Sequence, residues 1–245
     1  MNSTRPFLII QLRPEDGTSD SEFEAILKYG GLHRNDVCRM RIERNGIPSL
    51  NIEDFSAVIV GGSPFDISTP SDEKSAIQNK IESDFKRLFD QIVPADYPFL
   101  GACSGNGLLG NYLGTRISAE YAEPVGGATV TVTEQGKQDP LLHGFPDEIR
   151  VLLGHKEACD DLPDGATLLI QGDQCPVQMF RVGENVYATQ FHPEADSQGF
   201  TLRINTYRHH GYFQSHEAQT LIKAVNRETT PYANTILKRF VDRYR

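Results

Sequence analysis

Short apolar runs alternate with longer amphipathic segments in the N-terminal part of the chain. Three of these runs are predicted β-strands, because each is short, mostly apolar and bounded by polar or glycine-rich sequence: residues 7–12, 37–42 and 57–60. Ser19 or Asp20 is predicted to cap a helix after the first strand. Apolar residues recurring every three or four positions predict another helix over 71–93. This alternation of strands and helices indicates a parallel sheet with crossover helices.

The pattern changes in the second half of the chain, where short apolar or alternating runs follow one another without long helices between them. These predicted strands cover residues 128–133, 149–153, 167–171, 176–182 and 186–191. They indicate antiparallel strands added to the parallel core, the last two forming a hairpin. Two helical patterns follow, over 217–225 and 232–244. We therefore predict an α/β fold with three layers, an open mixed sheet with a mostly parallel core, and a C-terminal helical extension.

One cysteine lies where a predicted strand meets a predicted helix. The sequence there is Gly101-Ala102-Cys103-Ser104-Gly105, with an apolar run before it and a helical pattern after it. Strand, Gly-x-Cys-x-Gly and helix in this order are typical of a nucleophile elbow, here with cysteine in place of serine. The two glycines allow a sharp turn and close packing of the helix. The helix N-terminus is expected to favour the thiolate of Cys103.

A structural role is the alternative for each of the four cysteines. A cytosolic cysteine is most often a small buried hydrophobic residue. We interpret three of them in this way: Cys38, Cys159 and Cys175. For Cys103 the surrounding motif favours catalysis.

The last predicted strand ends in His192-Pro193-Glu194, which offers a base and a group to orient it. Pro193 keeps His192 extended, and residues two apart in extended chain project to the same side. Glu194 can therefore reach one imidazole nitrogen while the other faces the sulfur. The alternative is a hydrogen-bonded surface histidine at a strand end.

Attack on an amide carbonyl also requires donors for the negative charge that develops on oxygen. The N–H of Ser104, directly after the cysteine, is one candidate. A second is expected from Gly61-Gly62-Ser63-Pro64, at the carboxyl end of a predicted core strand, where ligands collect in open α/β sheets. The alternative for this segment is an ordinary turn that ends a strand.

Charge, apolar segments and cysteine spacing exclude several classes of protein. The 245 residues carry a formal net charge of −9 at pH 7, which argues against binding to nucleic acid or to an anionic membrane. No apolar segment is long enough for a membrane span, and the N-terminus lacks a signal-peptide core. The widely spaced cysteines fit neither a disulfide scaffold nor a metal site. We expect a cytoplasmic protein with a small-molecule substrate, no metal and no cofactor.

The three candidate segments together resemble the class I, or triad-type, glutamine amidotransferases. The matching pieces are residues 60–64, 100–105 and 190–194, and the resemblance covers roughly residues 40–197. The subgroup that matches best comprises stand-alone proteins similar to the amidotransferase domain of GMP synthase, and the related γ-glutamyl peptidases. The resemblance implies a family domain over residues 1–198 and a helical extension over 199–245, packed on the same domain.

The resemblance implies a reaction and a role for each residue. Cys103 would attack the side-chain amide of glutamine, His192 would carry the proton to the departing ammonia, and Glu194 would orient His192. A γ-glutamyl thioester would form, and water would release glutamate. The predicted oxyanion donors are Gly62 and Ser104. The predicted substrate-binding residues are Gly61, Ser63, Gly107, Gly154, His155, Lys156 and Glu157.

Two departures from the family pattern concern the substrate. Gly107 stands where the family usually has Gln, and Lys156 and Glu157 follow His155 in the loop that closes over glutamine. Altered selectivity is expected at Lys156, Glu157 and Asp66. A γ-glutamyl peptidase with the same triad is therefore an alternative.

The chain has neither a phosphate-binding loop nor a pyrophosphatase signature. Either a separate synthetase subunit receives the ammonia, or the protein is a hydrolase. A third alternative is a catalytically silent binding or redox-sensing module with an exposed thiolate.

Overall fold

A nine-stranded mixed sheet runs through the computed structural model, which describes residues 5–245. The strands are β1 (Phe7–Gln11), β2 (Val37–Arg41), β3 (Val58–Val60), β4 (Phe99–Ala102), β5 (Ile117–Ser118), β6 (Glu123–Val132), β7 (Glu148–His155), β8 (Ala158–Cys159), β9 (Ala166–Gln171), β10 (Met179–Val182) and β11 (Val186–Thr189). The α-helices are α1 (Asp16–Gly30), α2 (Ala76–Ile92), α3 (Ser104–Tyr112), α4 (Glu134–Gln138), α5 (Ser197–Thr206), α6 (Ala218–Val225) and α7 (Pro231–Tyr244).

The strand order is β2-β1-β3-β4-β11-β10-β9-β6-β7, and β5 pairs separately with β8. The four neighbouring pairs from β2 to β11 in this order are parallel. The pairs from β11 to β7 are antiparallel, beginning with the predicted β10–β11 hairpin. The mostly parallel core with added antiparallel strands confirms the predicted fold class.

The sheet separates two hydrophobic cores, and neighbouring residues of β1 alternate between them. Ile9 belongs to the core beneath α1 and α7, whereas Leu8 and Ile10 belong to the core beneath α2 and α3. All three are fully buried, which explains why β1 is one continuous apolar run. Helices on both faces of the sheet produce the three layers.

Two predicted helix starts were wrong. Helix α1 begins at Asp16, with Glu15 at its N-cap, so Ser19 and Asp20 lie inside the helix and do not cap it. Ser19 is buried and accepts a hydrogen bond from Arg39 of β2, at 3.0 Å from Nη2 to Oγ. Helix α2 begins at Ala76 rather than at residue 71, because the Ser75 hydroxyl caps it.

Helix α5 was not predicted from the sequence. Its apolar residues Phe200 and Ile204 contact a small core with residues of α6, but polar residues and Gly199 obscure their periodicity. The clearest local signal is Asp196, whose carboxylate accepts the Gly199 N–H at 2.9 Å as an N-cap. Helix α5 also contacts α1, and α7 contacts α1 and β7. The predicted division of the chain at residue 198 stays a prediction. Within residues 5–245, no helix is long and apolar enough to cross a membrane.

The close approach of α3 to β4 generates the first prediction. A Cβ on Gly101 would lie 2.8 Å from the backbone carbonyl carbon of Gly105 and 2.8 Å from the Phe99 ring. Because backbone cannot move aside cheaply, Gly101→Ala should lower the free energy of unfolding by about 1–3 kcal/mol, measured by urea denaturation. Gly126→Ala is the matched control, since a Cβ there meets nothing within 4 Å. Equal stabilities of the two variants would contradict the proposed close packing.

Candidate active site

Cys103 occupies the turn between β4 and α3 with φ 52° and ψ −94°. Its φ lies in the left-handed region that favours glycine, so surrounding bonds must hold the backbone there. The Cys103 N–H donates to the Thr189 carbonyl on β11 at 2.7 Å. The Cys103 carbonyl accepts the N–H groups of Asn106 and Gly107 at 3.0 and 3.1 Å. The structure thus gives Cys103 the sharp strand-to-helix turn that the elbow pattern predicts.

His192 and Glu194 lie just beyond the end of β11, the strand beside the elbow. The His192 Nδ1 is 2.9 Å from Glu194 Oε1, and the same carboxylate oxygen accepts from Arg203 Nη2 at 2.8 Å. Both His192 and Glu194 are buried. Cys103, His192 and Arg203 line one cavity. The structure therefore brings the predicted nucleophile, base and orienting carboxylate together.

Burial and the neighbouring charges determine the protonation states. Burial raises the pKa of Cys103 to about 12, and the positive charges of Arg13 and Arg203 offset only part of that effect. Burial also lowers the pKa of His192, against the opposing effect of Glu194. Burial raises the pKa of Glu194, but His192 and Arg203 outweigh it and hold the pKa well below its usual range.

At neutral pH these directions give a thiol, a neutral imidazole and a carboxylate. The raised pKa of Cys103 runs against the expectation that the helix N-terminus favours its thiolate, because desolvation of the sulfur opposes that effect. A neutral imidazole beside a neutral thiol could accept the thiol proton as the sulfur attacks a carbonyl carbon.

The predicted oxyanion donors differ in their surroundings. The Gly62 N–H donates to the buried Glu22 Oε2 at a long 3.3 Å, so an oxyanion would have to displace this bond. The Ser104 N–H belongs to the first turn of α3, and the Ser104 hydroxyl accepts from the Ser63 N–H at 2.8 Å. A Cβ on Gly62 would lie 2.8 Å from the His192 ring, which explains the need for glycine there.

A second cavity begins on another side of the thiol. Cys103, Ser63 and Tyr212 line both cavities, whereas Ser104 and Gly107 line only the second. The predicted substrate-binding residues His155, Lys156 and Glu157 also line the second cavity. Gly154 lines the cavity that contains His192. Gly61 lines neither of them, and a Cβ there would collide with Glu22 at 2.3 Å.

The predicted closing loop is bonded to the segment that follows β3. The Glu157 carboxylate accepts the N–H groups of Ile67 and Ser68 at 2.7 and 2.8 Å. Lys156 forms an ion pair with Asp66. The three residues expected to alter selectivity thus connect two loops beside the thiol.

Both ring nitrogens of His155 already lie within hydrogen-bond distance of protein oxygens, so neither is free for a substrate. His155 is buried, and its ring nitrogens lie 2.9 Å from Glu123 Oε2 and 3.0 Å from the Glu157 carbonyl oxygen. Cys175 completes a group with Glu123 and His155 whose donor atoms lie within 4.8 Å of one another, a possible metal-ligand set. Because Gln178 also donates to the same Glu123 oxygen at 2.5 Å, hydrogen bonds already hold this group together.

A match to a family model identifies the family of this chain. The model of the class-I glutamine amidotransferases matches residues 19–218, which contain the elbow, His192 and Glu194. The chain belongs to the class I glutamine amidotransferase family.

Individual relatives agree with this assignment. The chain is 30% identical over 144 residues to YfeJ, a glutamine amidotransferase-like protein of Salmonella typhimurium, covering 59% of each chain. It is 37% identical over 101 residues to one subunit of the glutamine-hydrolysing GMP synthase of Halobacterium salinarum, covering 40% of this chain and 54% of the relative. It therefore spans less than two thirds of the curated relatives it matches. A glutamine amidotransferase structure from Thermotoga maritima shares the fold, with a TM-score of 0.75 and 21% identity over 97% of this chain and 99% of that one.

Sequence reasoning missed several residues of this amidotransferase site. Arg13 follows β1, where its Nε donates to Glu22 Oε2 at 2.7 Å and its Nη1 donates to the Tyr207 hydroxyl at 3.2 Å. Arg13, Arg203 and Tyr207 line the cavity that contains His192. The position of Arg13 at the carboxyl end of a parallel strand could have indicated it. No comparable local signal marks Arg203.

The pH dependence of Cys103 alkylation tests the neutral resting state. The rate of its modification by iodoacetamide should still be rising above about pH 9, because only the thiolate reacts and burial disfavours it. Peptide mass spectrometry would follow the Cys103 site in a Cys38→Ser background, which removes the other cysteine that is not fully buried. A rate that reaches its plateau near neutral pH would indicate a preformed thiolate–imidazolium pair and contradict this assignment.

Proposed function

We propose that this protein hydrolyses a γ-glutamyl amide with Cys103 as nucleophile, His192 as base and Glu194 as the residue that orients His192. The main support is the convergence of the elbow thiol and the His192–Glu194 pair on one cavity. Membership of the class I amidotransferases supports the same chemistry. A binding module would not need a buried carboxylate beside the imidazole.

The proposed reaction has two halves. His192 accepts the thiol proton as the sulfur bonds to the amide carbon, and the N–H groups of Ser104 and Gly62 stabilise the oxygen of the tetrahedral intermediate. The C–N bond then breaks, His192 gives its proton to the leaving nitrogen, and a γ-glutamyl thioester remains. In the second half, His192 takes a proton from water, whose oxygen attacks the thioester. The C–S bond then breaks, glutamate departs, and the imidazolium of His192 returns its proton to the sulfur, which restores the thiol.

The relatives, rather than the site, support a proposal for the fate of the ammonia. Two relatives are named as one subunit of a glutamine-hydrolysing GMP synthase. We propose that, with glutamine as substrate, a separate synthetase subunit would receive the ammonia. A reducing cytoplasm would suit the four free cysteines of this chain.

Hydrolysis of γ-glutamyl peptides is the second candidate, and the surroundings of Gly107 favour it. A Cβ at Gly107 would lie 2.9 Å from the Ile67 side chain. The end of the Ile67 side chain therefore lies beside the position at which the family usually has Gln. Loss of that polar side chain weakens the case for free glutamine as the preferred substrate.

Substitution of the triad tests the proposed function. Cys103→Ala should abolish glutamate release, and His192→Gln should lower kcat about 10²- to 10⁴-fold through loss of proton transfer. Glutamine and γ-glutamyl dipeptides should be assayed side by side, with ammonia and glutamate as readouts. Cys38→Ser is the matched control, because Cys38 lies on β2 rather than in either cavity.

Two outcomes would count against the proposal. Unchanged glutamate release by Cys103→Ala would exclude the thiol from the mechanism. No release from any γ-glutamyl amide, with a candidate synthetase present, would favour the silent binding or redox-sensing alternative.

A further inference from the structure

We propose that the cavity containing His192 binds the leaving group of the substrate, and that this leaving group is an amine bearing a carboxylate and an apolar side chain. The substrate class is then γ-glutamyl amino acids or short γ-glutamyl peptides. This inference rests on the proposed function, because it assigns the acyl part and the leaving group of the substrate to the two cavities beside Cys103.

The position of His192 decides which cavity receives the leaving group. The general acid must reach the leaving nitrogen, and His192 lines the first cavity but not the second. Ser104, a proposed oxyanion donor, lines only the second cavity. The acyl part therefore lies toward Ser104 and Gly107, and the amine departs on the side of His192.

The walls of the His192 cavity suit a leaving group larger than ammonia. Its lining includes four apolar side chains, Phe200 and Ile204 of α5 together with Val125 and Phe213. Ammonia would contact little of this surface. An apolar side chain could instead be removed from water against it.

Two buried arginines supply the polar part of the same cavity. Arg13 is 4% exposed and Arg203 is 8% exposed, and both line the cavity. Glu22 and Glu194 balance their charges through the ion pairs already present. These carboxylates orient the arginines without using all of their donors.

Each arginine retains a donor nitrogen for a ligand. Arg203 Nη1 is buried with no hydrogen-bond partner among residues 5–245. Arg13 uses Nε and Nη1, and its Nη2 makes no hydrogen bond to the described part of the chain. The buried Arg203 Nη1 is costly to leave unpaired, and a carboxylate is the acceptor that guanidinium groups bind best. Ammonia offers no such acceptor.

A pair of substrates that differ by one carboxylate tests this assignment. Glutamate release from γ-glutamyl-leucine should have a kcat/KM about 10- to 100-fold higher than release from γ-glutamyl-3-methylbutylamide, which lacks only the carboxylate of leucine. Arg13→Gln should reduce kcat/KM at least tenfold more for the first substrate than for the second. Arg13→Lys should recover part of the difference. Arg203 is unsuitable for this test because it also holds Glu194.

Ligand binding gives a readout that does not require hydrolysis. Calorimetry on the Cys103→Ser protein should detect leucine binding that weakens about tenfold or more in Cys103→Ser/Arg13→Gln. Arg34→Gln is the matched control, since Arg34 is exposed and pairs with Glu24 on the surface. Thermal unfolding of each variant would verify that it is folded.

The outcomes separate this inference from the proposed function. If the wild-type protein hydrolyses both substrates equally, or Arg13→Gln lowers both equally, the leaving-group assignment is overturned while amide hydrolysis stands. If no substrate releases glutamate, the proposed function fails. In that case Arg13-dependent leucine binding would still support the amino-acid site, and its absence would overturn it.

Discussion

The hydrogen bond from the Cys103 N–H to the Thr189 carbonyl connects the two halves of the candidate active site. It continues the parallel pairing of β4 with β11, in which Ala102 is paired with Thr189. The distance from the elbow to His192 is therefore set by sheet register. A slip of one residue would turn every side chain of β11 to the other face and move His192 away from the sulfur. Both strands are buried, so the hydrophobic cores enforce this register.

Burial of β4 and β11 fixes the geometry of the site, and burial of Cys103 raises the pKa of its thiol. Desolvation raises the pKa of Cys103 to about 12, although the charges of Arg13 and Arg203 and the N-terminus of α3 all act in the opposite direction. Under the proposed function, His192 therefore removes the thiol proton when substrate is present. Under the same proposal Glu194, which His192 and Arg203 keep ionised, stabilises the imidazolium that forms.

The predictable parts of this site are those encoded in short stretches of sequence. Glycines at fixed spacing around Cys103 predict the elbow, and His192-Pro193-Glu194 predicts a histidine–carboxylate pair, because each depends on local backbone geometry. Arg203 could not be found in this way. It lies on a helix whose polar and small residues hide its periodicity, and it reaches Glu194 only through the packing of α5. The raised pKa of Cys103 could not be predicted for a related reason, since burial of the sulfur depends on long-range contacts.

The two cavities beside the thiol differ in the contacts that they leave available to a substrate. On the side of Gly107, the end of the Ile67 side chain lies next to the glycine, and the Glu157 carboxylate accepts hydrogen bonds from the N–H groups of Ile67 and Ser68. These contacts restrict the acyl groups that can bind on this side, which fits the invariant γ-glutamyl moiety of the proposed substrates. Toward His192, by contrast, arginine donors remain available beside apolar walls. Under the proposed leaving-group assignment, substrates are therefore discriminated by the amine that departs, because that side retains unpaired hydrogen-bond donors and apolar surface.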